Sequence, residues 1–302
     1  MRLTCIFLPL AALALVPACK DAVPTAEAPA ALSPAQANAA ALTDKRRVLD
    51  LEGGVKFRDL GGYRTADGRV TKWEVLYRSG SPAGLTEADM ASLAKRGIRT
   101  VCDLRTSEER RAEPSPFAKQ SDVTYWTRDY AADAGALIGA LSGPDASAAK
   151  SRAAMTGFYR QLPQEHAASF RQMFALLAEG KVPLAFNCSA GKDRTGMAAA
   201  LVLTLLGVPR ETVVADYALS DDLVDYKAQI QKTADSDSPY AALANLPWEV
   251  VEPLLASDPA YIESALKEIE AEHGSVDAFI EQELGVSPAM KKAIIANLTV
   301  AA

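Results

Sequence analysis

Cys188-Ser189-Ala190-Gly191-Lys192-Asp193-Arg194-Thr195-Gly196 follows the short apolar run Val182 to Asn187 and opens Thr195 to Leu206, which is apolar on nearly every side. A short apolar run predicts a buried strand. A stretch apolar all round predicts a buried helix, here stopped by Gly207-Val208-Pro209. The segment therefore reads as strand, tight loop and helix, with a cysteine at the strand end. Working outward, Thr86-Glu87-Ala88-Asp89 has capping-box spacing for a helix to about Arg96, Gly97 ends it, and Ile98 to Leu104 reads as a second strand. Helix, glycine, strand and then Asp103-Leu104-Arg105 predict an α/β fold with a central, mostly parallel sheet flanked by helices and functional residues at strand ends.

Around this centre, Phe57 to Tyr63 and Trp73 to Arg78 read as a hairpin turning at Asp67-Gly68. Val123 to Tyr130 reads as a further strand, and 131–149, rich in Gly, Ala, Ser and Asp, as a loop or lid. Helices are predicted over 149–161 and 164–178, punctuated by Pro163 and Gly180. The C-terminal third is helical by pattern, at 211–219, 259–273, 276–283 and 288–298. Between them, 235–259 reads as a mobile segment near the site.

The cysteine loop carries the chemistry. A loop entering a helix aims backbone N–H groups at one point, and with the helix dipole these stabilise both a thiolate and a bound phosphate dianion. Gly191 permits the tight turn, and Ser189, Ala190, Gly191 and Lys192 supply the substrate-binding frame. Arg194, five residues beyond Cys188, offers a planar fork for two phosphate oxygens. Attack by the Cys188 thiolate gives a cysteinyl-phosphate that water hydrolyses, and Thr195 can donate its hydroxyl to the departing sulfur. Lys192 adds positive charge at the mouth, suiting substrates with more than one phosphate, or is a solvated surface lysine.

The CxxxxxR spacing resembles the signature of the Cys-based protein tyrosine phosphatase superfamily, and CSAGKDRTG resembles a bacterial secreted branch of it. FRDLGGY at 57–63, YRSG at 77–80, DLRTSEE at 103–109, ADYALS at 215–220 and HGSVDAFIEQELGVS at 273–287 extend the resemblance over nearly the whole body. It implies phosphatase action on phosphotyrosine, with phosphoserine, phosphothreonine and phosphoinositides as further substrates, and neither metal nor organic cofactor. It also implies that Asp193, inside the loop, is the general acid. Other members of the superfamily use an aspartate on a separate loop, for which Asp129 ranks next and Asp133 is a further candidate. Asn187 stands where relatives place histidine, which predicts a less stabilised thiolate. Arg58 and Asp59 read as braces of the loop. Arg78 and Arg105 are expected to pair with Asp103, Glu108 or Glu109, or else to reach substrate phosphate.

Composition narrows the alternatives. The 302 residues are 49% hydrophobic and 23% charged, with 32 basic against 38 acidic side chains, which gives no steering toward nucleic acid. The two histidines, His166 and His273, lie far apart without cysteine partners at ligand spacing, so a zinc site or a histidine-dependent hydrolase is not expected. The Lys192 segment is no Walker loop, because Phe186 stands where its first glycine belongs. A rhodanese-like sulfurtransferase and a non-catalytic phosphate-binding lipoprotein remain as rivals.

The start of the chain reads as an export signal over 1–18, with Arg2 ahead of the apolar run Ile6 to Val16. Val16-Pro17-Ala18-Cys19 resembles a bacterial lipobox with Cys19 as the lipidated residue, and ordinary signal cleavage to a periplasmic or secreted form is the alternative. Residues 21–42 hold ten alanines and three prolines, so 19–44 reads as a tether and 45–302 as the catalytic body. The expected partners are a phosphorylated protein or phosphoinositide, and a membrane through the N-terminal lipid. The body keeps two cysteines, Cys102 and Cys188. Cys102 is either a core residue or a reversible disulfide partner that protects Cys188 from over-oxidation.

Overall fold

The computed structural model describes residues 33–132, 137, 139, 145–233 and 241–301. The signal of 1–18, Cys19, the first part of the tether, Asp133 and much of the 131–149 loop lie outside the described residues. The strands are β1 (Arg58–Asp59), β2 (Arg69–Thr71), β3 (Leu76–Ser79), β4 (Thr100–Asp103), β5 (Thr124–Thr127), β6 (Leu184–Asn187) and β7 (Thr299–Ala301). The helices are α1 (Pro34–Leu42), α2 (Glu87–Lys95), α3 (Ser107–Ala112), α4 (Ala148–Glu165), α5 (Ala167–Ala178), α6 (Asp193–Leu205), α7 (Arg210–Asp222), α8 (Tyr226–Thr233), α9 (Trp248–Leu255), α10 (Pro259–His273), α11 (Val276–Gln282) and α12 (Pro288–Leu298).

Five strands form one sheet in the order β1-β3-β6-β4-β5, with only the β1–β3 pairing antiparallel. This is the expected mostly parallel α/β sheet. Side chains alternate along it as the strand period requires. Leu76, Cys102, Leu184 and Phe186 enter the larger apolar cluster, while Tyr77, Val101 and Ala185 enter a smaller one with Phe57, Leu93, Ile98 and Phe117. Helix α6 is buried from Thr195 to Leu203, with Met197 to Leu203 inside the core, and only its head at Asp193 and Arg194 and Thr204 near its end are partly exposed. Such a helix has no polar face because it meets apolar neighbours all round.

Register places the site. Ser79 of β3 and Asp103 of β4 both lie opposite Asn187 of β6, so three parallel strands end level, and Cys188 emerges from the central one. The crevice beyond the carboxyl ends of such strands is where open α/β sheets bind ligands.

Several local expectations are corrected. The expected strands do pair, β1 antiparallel to β3, and the turn at Asp67-Gly68 lies between them, with Thr65 N–H donating to the Arg69 carbonyl at 2.9 Å, but an unexpected strand follows that turn. β3 pairs with β1, whereas β2 pairs with β7 at the far end of the chain. That strand pairing is non-local and leaves no local pattern. Pro163 sits inside α4 rather than ending it, and the break falls at His166. Pro163 has no N–H to donate to the Tyr159 carbonyl, so the helix gives up one bond there, and packing against α9 and α10 holds it through the proline. Within 235–259, Val250, Val251 and Leu255 of α9 are buried, so this part of the expected mobile segment is packed.

The expected tether ends early. Helix α1 falls inside 19–44, and its Asn38 is only 2% exposed. Asn38 donates to the Arg64 carbonyl at 3.2 Å and to Thr212 Oγ1 at 3.1 Å, and accepts from Arg64 N at 2.6 Å. Buried Arg47 in turn donates to the α1 carbonyl of Ala41 at 2.7 Å. Alanine-rich composition is equally compatible with a helix.

Candidate active site

Cys188 leaves β6 buried, and its Sγ accepts the Gly191 N–H at 3.3 Å. The loop from Cys188 to Lys192 turns tightly into α6 because Gly191 takes φ +73°. A Cβ there would lie 2.5 Å from Gly80 N, so only glycine lets the loop close against the end of β3. Ser81 N donates to the Ser189 carbonyl at 2.8 Å and Leu104 N to the Asn187 carbonyl at 2.7 Å, tying the loop to both neighbouring strand ends. Thr195 is buried, with Oγ1 donating to the Ser79 carbonyl at 3.4 Å.

Arg194 is held by Glu109, which the sequence offered only as a partner for Arg78 or Arg105. Glu109 receives Nη1 and Nη2 at 2.7 Å each and also accepts from Ser189 Oγ at 2.6 Å. The same carboxylate closes the capping box of α3, where it accepts Thr106 N at 2.7 Å while Thr106 Oγ1 accepts Glu109 N at 3.1 Å. Burial alone would raise the Glu109 carboxyl, yet the Arg194 hydrogen bonds and charge, with Ser189 and Thr106, bring it down to about 2. Thr106-Ser107-Glu108-Glu109 carries the capping-box spacing, which is the signal that could have found it. Tyr130 completes the arginine's surroundings, accepting Nη1 at 3.1 Å and donating to the Leu104 carbonyl.

Asp193 and Lys192 form an internal pair. Asp193 Oδ1 accepts Lys192 Nζ at 2.7 Å and the Tyr159 hydroxyl at 2.7 Å. Burial opposes the Asp193 charge, but Lys192 and Tyr159 prevail and hold the carboxyl below its usual range. Lys192 is 2% exposed and also donates to the Ala256 carbonyl at 3.3 Å, so it is not a solvated surface lysine.

Behind the loop, Arg78 donates to the Gly191 carbonyl at 3.0 Å and to Asp216 Oδ2 at 2.6 Å. Its partner is thus an α7 aspartate from ADYALS, not Asp103, Glu108 or Glu109. Asp216 also accepts the Tyr63 hydroxyl at 2.9 Å and lies 3.6 Å from Arg58 Nε, and this arginine donates to the Asp216 carbonyl at 2.8 Å. Arg58 therefore braces the loop at one remove, through Asp216 and Arg78. Asp59 braces a different turn, accepting Gly61 N at 2.7 Å and Glu74 N at 2.6 Å. Arg105 pairs with Asp103 at 2.7 Å as expected, and Asn187 donates to the same Asp103 at 3.0 Å. Neither Arg78 nor Arg105 faces outward toward substrate.

Asp129, next to the Tyr130 that meets Arg194, points to solvent. Its side chain is 91% exposed and paired with Arg110 at 2.6 Å. Cys102 lies opposite Phe186 in the ladder, two residues before Cys188, and both thiols are free. That offset separates their Cα atoms by roughly 8 Å, beyond the span of about 7 Å that a disulfide bridges without backbone movement. Burial pushes the Cys102 thiol up, so the core reading is the one the geometry supports.

Residues 49–300 match the model of the tyrosine phosphatase family. The chain belongs to that family. It is 33% identical over 257 residues to a Cupriavidus necator protein assigned by inference as a tyrosine-protein phosphatase, covering 84% of this chain and 90% of the relative. To the triple specificity protein phosphatase PtpB of Mycobacterium tuberculosis it is 30% identical over 272 residues, covering 80% and 95%. A tyrosine-protein phosphatase of Nostoc commune is 30% identical over 155 residues, about half of each chain. The chain is accordingly a phosphatase, a hydrolase acting on phosphorylated protein, and the sulfurtransferase and non-catalytic readings have no counterpart among these relatives.

Proposed function

We propose that this phosphatase works through a cysteinyl-phosphate on Cys188. The observation that carries the reading is the Gly191 N–H aimed at Cys188 Sγ at the head of α6, with Arg194 fixed in the first turn of that helix. The thiolate attacks phosphorus, the P–O bond to the leaving group breaks, and a proton must reach that oxygen. Water then attacks phosphorus and returns the electron pair to sulfur, and in this reading the Thr195 hydroxyl turns from the Ser79 carbonyl to donate to it. Glu109 occupies the Nη1 and Nη2 end of Arg194, so the Nε side of the fork meets the phosphate oxygens.

Asp193 is the proton donor in this reading, because both carboxylates are ion-paired but Asp193 adjoins Arg194 at the head of α6, whereas Asp129 pairs with Arg110 at the exposed surface. An incoming dianion raises a neighbouring carboxyl, which is the change that would load Asp193 with its proton. The triple-specificity name of the mycobacterial relative supports a range beyond phosphotyrosine, and we include phosphoserine, phosphothreonine and phosphoinositides. Export and anchoring through a lipid on Cys19 belong to the same reading, supported by the lipobox-like Val16-Pro17-Ala18-Cys19. Membrane fractionation of the chain and its Cys19→Ala form tests the anchor, which fails if both partition alike.

The test of the chemistry is phosphate release from phosphotyrosine peptide, phosphoserine peptide and phosphoinositide, with Cys188→Ser as blank. Release that depends on Cys188 is expected. Equal release by the blank overturns the mechanism.

A further inference from the structure

Lys56 is a buried cation beside the cysteine loop that neither the loop nor its ion pairs account for. It precedes Phe57 and is 4% exposed, in a backbone conformation of φ +52° that side-chain-bearing residues rarely adopt. Non-glycine residues held there are commonly functional, since the surrounding structure must hold them against their preference. Here the hold is visible. Val55 O accepts Gly80 N at 2.7 Å, and Gly80 is the residue against which Gly191 of the loop closes.

The ammonium has no carboxylate within ion-pair distance among the described residues. It donates to the Tyr226 hydroxyl of α8 and lies 4.3 Å from the centre of that ring. The charges around it are Cys188, Lys192 and Asp193 of the loop and helix head, and Arg58 of β1. Asp193 is already taken by Lys192 at 2.7 Å. A buried ammonium served by one neutral hydroxyl is incompletely compensated, and the missing partner is an anion.

We propose that Lys56 is an anion-binding residue of the catalytic pocket, supplying its ammonium to a phosphate group of the substrate in place of the Tyr226 hydroxyl. The inference rests on the phosphatase reading of the Cys188 loop and adds a specificity-determining residue outside that loop. Burial, then the Lys192 and Arg58 charges, lower Lys56 to about 7, while Asp193 and Cys188 oppose that fall. A bound dianion favours the charged amine, so the substrate and a proton on Lys56 arrive together.

Sulfate is the probe, because it stays a dianion across the range where Lys56 titrates. Its affinity is measured by calorimetry from pH 6 to 9 on the full chain carrying Cys188→Ser, which removes both turnover and the thiol. Affinity should fall as pH rises. Adding Lys56→Met should weaken sulfate at least about tenfold at pH 6 and flatten the profile. Lys56→Arg should retain affinity with a flat profile, since arginine keeps its charge throughout, and it preserves the test if the Met form does not fold. Sulfate bound equally, with the same pH dependence, by parent, Met and Arg forms overturns the Lys56 assignment and leaves the loop reading intact. Sulfate bound by none of them overturns both.

Discussion

At the scale of single residues, the site depends on two carboxylates, one against the partly buried Arg194 and one against the buried Arg58 and Arg78. Glu109 orients Arg194 through two charge-assisted hydrogen bonds while its capping bonds fix the carboxylate itself. Glu109→Gln keeps the shape and removes the charge, at about 1.5 to 3 kcal/mol of transition-state stabilisation, or roughly 10- to 100-fold in kcat/KM. Steady-state kinetics on phosphotyrosine peptide checks this, and an unchanged kcat/KM would show that Arg194 needs no such support. Asp216 serves Arg58 and Arg78 together, and both guanidiniums keep further buried nitrogens without partners. Asp216→Asn should therefore cost about 3 to 5 kcal/mol of stability in denaturant unfolding, because it leaves two buried cations uncompensated. For the proton donor, Asp193→Asn should lower activity far more than Asp129→Asn. The reverse order would move the role to the Arg110-paired aspartate.

At the scale of elements, the unexpected helix α1 makes the sharpest prediction. A body beginning at residue 45 lacks Asn38 and the Ala41 carbonyl that buried Arg47 uses. It should melt below a body beginning at 33, and Asn38→Ala in the longer form should account for about 1 to 3 kcal/mol of that loss. Equal melting temperatures would make α1 an ornament. Elements with strong local signals are legible in the chain itself: α2 from Thr86 and Gly97, α10 from Asp258-Pro259 and Gly274, and α6 from its unbroken apolar run. Elements made by distant partners are not. β2 exists because β7 arrives from the other end of the chain, and α4 runs through Pro163 because its neighbours α9 and α10 pack along it.

At the scale of the whole molecule, the buried side chains set how the fold responds to acid. His166 is 5% exposed, and burial, then the Arg194 and Arg128 charges, lower it from 6.5 to about 3. Its folded pKa lies below its unfolded one, so the unfolded chain takes up the proton first as pH falls. The stability linked to His166 is whole above 6.5 and declines toward 3 by about 1.4 kcal/mol per pH unit. Glu109 and Asp216, both held near 2, add their own losses at the acid end of that range. His166→Gln should flatten the upper part of the decline between pH 6 and 5 in chemical denaturation, and a parallel slope would assign that loss to other groups.

What the sequence alone determined was the local chemistry. Cys188, Gly191, Arg194 and Thr195 form one turn of chain between a strand and a helix, so their spacing already states their arrangement. Fold class was legible for the same reason, since apolar period and turn residues act within a few positions. Only the tertiary structure decided what surrounds that loop. Glu109, Asp216, Tyr159 and Lys56 come from four separate stretches and meet it because three parallel strands end level and α4 and α7 close over their tips. Burial then settled which charges are spent inside, as with Lys192 on Asp193, and which one is left for an anion. Such pairings follow from packing and desolvation across long separations in the chain, and these have no signature in local sequence.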